Sequence, residues 1–240
     1  MAAELVETRR IRITAGDVVS YLTGARTPAR MLQEESIRDG YRRLDGGIVE
    51  IGAVKSHNYA GFAKNPDDYR LANMIREDGY IYMDVMRIDL ADDTIDNYSA
   101  VSVLEHVTDR GLAMAEMYRT LKPGGRVFIT IPFLFPVHGS PDDYVRYTPS
   151  GLIELFRDFE IEKVECLGNY FSVVALMLQH TRRGGFFRVT KRQKYLIFPF
   201  VVLSRLAGAA FLITSRFLPG SRVYPLAISV LAAKPKAGPA

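Results

Sequence analysis

Between residues 138 and 147 the chain carries an imidazole, two adjacent carboxylates, a guanidinium and two phenols: His138, Asp142, Asp143, Arg146, Tyr144 and Tyr147. An unperturbed imidazole changes charge near neutral pH and suits a general base. A carboxylate such as Asp142 suits the group that orients it. Asp143, Tyr144, Arg146 and Tyr147 then read as contacts for a polar acceptor with hydroxyls and ring faces. His138 reads equally as a loop histidine that touches substrate or caps a turn. A second acid–imidazole pair, Glu105 and His106, stands upstream; His106 lies beside a ligand or fixes the start of the following helix. Asp142, Asp143 and His138 are legitimate metal-ligand types, but they follow no ligand-spacing motif, and no metal is assigned. His57 and His180 lack such neighbours and receive no role.

The elements around these groups alternate. Short apolar runs read as strands at residues 48–51, 69–74, 80–85, 98–104, 126–133, 160–167 and 225–232. Helical spacing is visible in residues 15–45, with a break expected at Thr27-Pro28, and again in 111–121 and 151–156. Strands that alternate with helices argue for a parallel, doubly wound sheet, with chemistry at the carboxyl ends of its strands. Gly52 directly follows the first strand, where the backbone can come close to a ligand. Residues 1–14 read as mixed and frayed.

Residues 172–218 break the alternation. They read as an apolar helix, a basic link and an apolar stretch from Tyr195 to Leu218. Pro199, Arg205 and Arg216 interrupt that stretch, and an arginine near the centre of a span costs about 2.5–3.5 kcal/mol on insertion scales. A final strand must also return to the sheet. The expectation is therefore a helical hairpin that packs on the domain, dimerises or dips into one leaflet.

Charge is uneven. Residues 1–165 carry 27 acidic against 20 basic side chains, whereas residues 166–240 carry 11 basic and no acidic ones. A basic, apolar tail suggests peripheral membrane contact through residues 182–218 or solvation of a helical insertion; no nucleic-acid partner is expected. The single cysteine, Cys166, permits no intrachain disulfide. The first thirty residues lack the pattern of a secretory signal. The expected location is cytoplasmic, with peripheral contact at the inner face of the membrane.

Val103-Leu104-Glu105-His106-Val107, followed by Glu116-Met117-Tyr118-Arg119-Thr120-Leu121-Lys122-Pro123-Gly124-Gly125, resembles the class I S-adenosylmethionine-dependent methyltransferases that carry a Leu-Glu-His-Val signature. The resemblance covers about residues 46–167 and the last strand. It implies a Rossmann-like seven-stranded α/β sheet with the last strand antiparallel and the helical hairpin inserted between strands six and seven. Residues 1–45 would form an N-terminal helical cover and residues 46–240 the methyltransferase domain. The implied cofactor is S-adenosyl-L-methionine, with Glu50, Gly52, Asn73, Asp84, Val85, Glu105 and His106 as its contacts. The family's glycine loop is reduced here to Glu50-Ile51-Gly52-Ala53-Val54-Lys55-Ser56, and Asn73 stands where an acid usually holds the ribose. The pattern of a nicotinamide-binding loop is absent.

The loop from Pro132 to Pro149 further resembles a subgroup associated with saccharide and glycolipid pathways. The expected reaction is O-methylation of a sugar hydroxyl on a saccharide or lipid-linked glycan. The alternatives are methylation of a prenylated quinone or other apolar small molecule, and a methyltransferase-like binding protein without catalysis. A homodimer is a further expectation.

Overall fold

A computed structural model describes residues 5–55, 58–139, 142–180 and 191–236. The basic link from 182 to 190, the end of the tail, Ser56 and His57 lie outside the described residues, as do the side chains of 191–197.

The strands are β1 (Val6–Thr8), β2 (Ile48–Ile51), β3 (Tyr69–Asn73), β4 (Ile81–Tyr82), β5 (Ile95–Val101), β6 (Leu121–Pro132), β7 (Glu160–Leu167) and β8 (Ala227–Ala233). They form one sheet in the order β1-β7-β8-β6-β5-β2-β3-β4. All pairings are parallel except those of β8, which runs antiparallel to both β6 and β7. The doubly wound sheet with an antiparallel last strand is as expected, but it has eight strands, not seven. The extra one is β1, in the segment read as frayed. It pairs in parallel with the exposed edge of β7 through Val6–Val164, Glu7–Glu165 and Thr8–Cys166.

The buried ion pair between Arg9 Nε and Glu165 Oε2, 2.9 Å apart, holds that edge. Arg9 also bonds Asp39, and Ser36 Oγ donates to the same Glu165 oxygen. The N-terminal segment is thereby tied both to the sheet and to the helix above it.

Two helices lie between β1 and β2 in the chain. In α1 (Ala15–Thr23), Thr14 caps the amino end and Asp17 returns the bond to the Thr14 amide; α2 (Pro28–Tyr41) starts on the Thr27 cap with Pro28 in its first turn. Thus the break expected at Thr27-Pro28 is a helix start. The buried face of α2 places Ile37 and Tyr41 in a cluster with Ile48, Phe128 and Leu231. Gly40 permits the approach, since a Cβ there would collide with the Phe128 ring.

The main core lies between the sheet and α3 (Arg110–Thr120) and α4 (Pro149–Leu155). Met114, Met117, Leu152 and Phe156 pack there against Tyr98, Val127, Ile129 and Val164. On the other side, α5 (Tyr170–His180) and α6 (Lys191–Ser215) pack together between β7 and β8 in the chain and cover α1. Tyr21 donates to the Ala175 carbonyl at 2.7 Å. Arg205, buried at 8% exposure, sends Nη1 to the carbonyls of Tyr21 and Leu22 at the carboxyl end of α1. The arginine that interrupts the apolar stretch therefore serves as an internal cap. The outward side of α6 exposes Phe198, Phe200, Leu203 and Leu206.

Candidate active site

Strand order dictates where a ligand can sit. The chain winds one way from β2 through β3 to β4, and the other way from β5 to β6. The carboxyl ends of β2 and β5 therefore flank the switch point, where open α/β sheets bind ligands. A cleft of about 390 Å3 opens there, within the size range of small-molecule sites. Glu50 and Gly52 line it from β2 and its following turn, Ser102 from the end of β5, and His138 from the loop after β6. The amino-terminal helices close it with Arg26, Arg30 and Gln33.

Glu50 is 3% exposed, and the Tyr69 hydroxyl donates to its Oε2. Burial pushes its carboxyl up to about 7, against the opposing effect of the Tyr69 bond. Gly52 turns the chain at φ +70°; a Cβ there would stand 2.6 Å from Val103 Cγ2. A side chain in that turn would be strained, which accounts for the glycine kept at this position. Ser102 also has positive φ, at 54°, and its Oγ accepts from Gln33 Nε2 at 3.0 Å. This bond ties α2 to the end of β5 and makes the helical cover part of the cleft wall.

His138 is half-buried, and burial lowers its imidazole below the usual range. Its Nδ1 lies 3.3 Å from Asp143 Oδ2, and the Asp143 carboxylate also accepts from the His138 amide at 3.0 Å and from a fork of two bonds from Arg146. The Arg146 guanidinium holds the Asp143 carboxyl down at about 2. The orienting carboxylate beside His138 is Asp143, and this corrects the expectation of Asp142. Asp142 turns the other way: its Oδ2 accepts from the Tyr144 hydroxyl and its carbonyl meets His106 Nδ1.

Glu105 occupies an unexpected place. It is fully buried, with both oxygens lacking a hydrogen-bond partner among the described residues, and burial pushes its carboxyl up to about 8. Its Oε1 lies 3.8 Å from His106 Nε2 and 3.9 Å from His138 Nε2. Neither Glu105 nor His106 lines the cleft, and His138 stands between this pair and it.

Three other expected cofactor residues also stand back from the cleft wall. Asn73 donates to the Ala53 carbonyl at 2.8 Å and braces the loop after β2. Asp84 accepts from the Met86 amide within its own turn. Val85 is 8% exposed and packs in the main core. Of the expected acceptor contacts, Tyr144 is exposed, whereas Tyr147 packs on the main core and Arg146 is engaged by Asp143. Sequence reasoning missed Gln33, Ser102, Tyr59, Phe135 and His180, all of which line the cleft. Only Ser102 had a signal, its position at the end of an apolar strand.

With this geometry in view, the comparisons are specific. Residues 56–129 match the model of a methyltransferase domain. The chain is 28% identical over 175 residues to "Methyltransferase GfsG" of Streptomyces halstedii, covering 72% of this chain and 56% of that protein. It is 30% identical over 95 residues to the "Ubiquinone/menaquinone biosynthesis C-methyltransferase UbiE" of Pseudoalteromonas translucida (strain TAC 125), covering 40% and 32% respectively. The chain thus spans about half the length of one curated relative and a third of the other. Among solved structures, phosphoethanolamine N-methyltransferase 2 of Haemonchus contortus, in complex with S-adenosyl-L-methionine, superposes with a TM-score of 0.52 at 17% identity, over 95% of this chain and 59% of that one. The YcgJ protein of Bacillus subtilis gives 0.50 at 14%, over 85% and 98%. Those likenesses concern the fold.

The sheet and the turn after β2 have the fold of the class I methyltransferases. Residues 56–129 match a methyltransferase domain, and the cofactor of that class is S-adenosyl-L-methionine. The cleft fits that cofactor in two respects: Glu50 lines it with a buried carboxyl group suited to an ammonium, and Gly52 with a close backbone turn, whereas Arg26 and Arg30 are engaged by Asp17 and Glu34.

Proposed function

We propose that this protein methylates a hydroxyl group of a saccharide or lipid-linked glycan. The observation that carries the reading is that Glu50 and His138 line one cleft from opposite sides of the switch point. Bound there, S-adenosylmethionine supplies a methyl group already activated by its positive sulfur. Glu50 and Gly52 hold the donor end, and the surrounding helices exclude water. His138 accepts the proton of the acceptor hydroxyl as the oxygen takes the methyl group and the carbon–sulfur bond breaks. Asp143 keeps the imidazole in the tautomer with Nδ1–H, which leaves Nε2 free to accept. Arg146 keeps Asp143 ionised. The exposed phenol of Tyr144 supplies a ring face for a sugar.

A lipid-linked acceptor is favoured by the apolar outward side of α6, where Phe198, Phe200, Leu203 and Leu206 are exposed above an arginine-capped inner face. That side suits peripheral contact with a membrane. The same surface favours, as a second reading, a prenylated quinone or similar apolar acceptor. Incubation with isotopically labelled donor and separate saccharide, glycolipid and quinone fractions, read by mass spectrometry, tests these readings. Label in a saccharide or glycolipid hydroxyl supports the first, and label confined to a quinone supports the second.

A further inference from the structure

We infer that Glu105, His106 and His138 form a binding site for one divalent first-row transition metal ion of the zinc class. One carboxylate oxygen and two imidazole nitrogens converge there, all within 4.8 Å of one another. Glu105 Oε1 stands 3.8 Å and 3.9 Å from the two Nε2 atoms, too far for direct hydrogen bonds and set for a shared atom between them. Ligands at about 2.0–2.1 Å around a tetrahedral ion sit roughly 3.3–3.5 Å apart, so modest rotamer shifts complete the set.

Two independent features point to a ligand. The first is Glu105 itself, fully buried with neither oxygen hydrogen-bonded among the described residues. A buried carboxyl left without partners is costly, and a bound cation would offset that cost. The second is the outer support. His106 Nδ1 meets the Asp142 carbonyl, and His138 Nδ1 faces Asp143 Oδ2 and the Pro136 carbonyl. Imidazoles that bind metal through one nitrogen characteristically donate from the other to a carbonyl or carboxylate, which fixes the tautomer. Both rings have that arrangement, with both Nε2 atoms aimed at the same carboxylate.

The ligand types select the ion. Two imidazoles and one carboxylate suit zinc, iron, cobalt or nickel, whereas magnesium and calcium prefer all-oxygen sets. Three protein ligands leave a coordination position open. His138 also lines the cleft, so the open position can face an acceptor oxygen. This last role rests on the proposed methylation. His138 Nε2 is the base in the metal-free protein; in a metal-loaded form it would be a ligand, and the ion would supply the acidification of the acceptor hydroxyl. The site itself stands without that reading.

The test is calorimetric titration of tag-free, chelator-stripped protein with Zn2+, repeated with Co2+ and followed by the visible absorption of Co2+. The expected result is one equivalent per chain. Glu105→Gln and the double variant His106→Ala/His138→Ala should each weaken binding by more than about 100-fold, beyond the 10–100-fold typical of outer-shell partners. Asp143→Asn should fall within that lower range. Thermal melts and titration with S-adenosylhomocysteine verify that each variant is folded. Should a ligand variant fail that check, the single variant His106→Gln, on the half-buried ring, replaces it. Absence of stoichiometric binding, or equal affinity in wild type and folded ligand variants, overturns the site. Loss of methyl transfer with metal binding intact would instead count against the proposed reaction.

Discussion

Glu105 Oε1 lies 3.9 Å from His138 Nε2, although the two residues come from different loops and are separated by the whole of α3 and β6. The contact arises because β5 and β6 are parallel neighbours, so the turns after them emerge side by side at one end of the sheet. It joins the interior of the domain to the wall of the cleft.

The proton-acceptor role of His138 predicts a graded series. His138→Ala should lower kcat by about 10²–10⁴-fold and leave donor affinity unchanged. Asp143→Asn should lower kcat less, because it loosens the tautomer without removing the ring. Asp142→Asn should stay near wild type, since among the described residues its carboxylate bonds Tyr144 and not His138. Steady-state kinetics paired with donor titration checks the order, and an Asp142→Asn loss larger than that of Asp143→Asn would reverse the assignment.

Glu50 makes donor binding depend on pH. Its carboxyl is raised to about 7 by burial, above the ordinary value of 4.5. A folded-state value above the unfolded one means that the folded chain holds the extra proton, so stability falls as pH rises from about 4.5 to 7. In the ligand-free protein, Glu50→Gln should therefore gain thermal stability relative to wild type across that window. Donor affinity should run the opposite way, because only the ionised carboxylate pairs with an ammonium. It should rise as pH passes through 7 in wild type and stay flat in the variant.

Gly52→Ala places a Cβ against Val103 at φ +70°. The expected cost is about 1–3 kcal/mol of folding stability, together with weaker donor binding. Adding Val103→Ala should recover only part, since the backbone strain persists. Denaturant melts of the single and double variants measure both contributions.

Removing Arg9 takes one of two cations from the buried Glu165, whose Oε1 keeps Lys163 Nζ at 2.8 Å. Arg9→Ala should destabilise by about 1–3 kcal/mol, less than the cost of a buried pair broken outright. A loss below 1 kcal/mol would mean that β1 contributes little to the sheet.

Much of this fold is legible from residue patterns. The apolar runs that became β2, β3, β6, β7 and β8, and the break at Thr27-Pro28, are signals that depend only on near neighbours. What stayed hidden depends on distant partners. The Val6–Thr8 strand is too short to read and exists because β7 offers an edge. β5 starts at Ile95, within a stretch that reads as a turn. Its polar residues Asp96 and Asn97 are held by Lys122 and by the carbonyls of Asp45 and Gly47. The choice between Asp142 and Asp143 turns on loop direction, which neither periodicity nor composition encodes. The Glu105–His106–His138 cluster is likewise a product of strand order.

The most direct measurement of the central claim is calorimetric titration with S-adenosylhomocysteine, the demethylated donor, of wild type and Glu50→Gln at pH 8. The account predicts one site per chain in wild type and at least about tenfold weaker binding in the variant, as one lost charge pair implies. Absence of binding by the folded wild-type protein would contradict it.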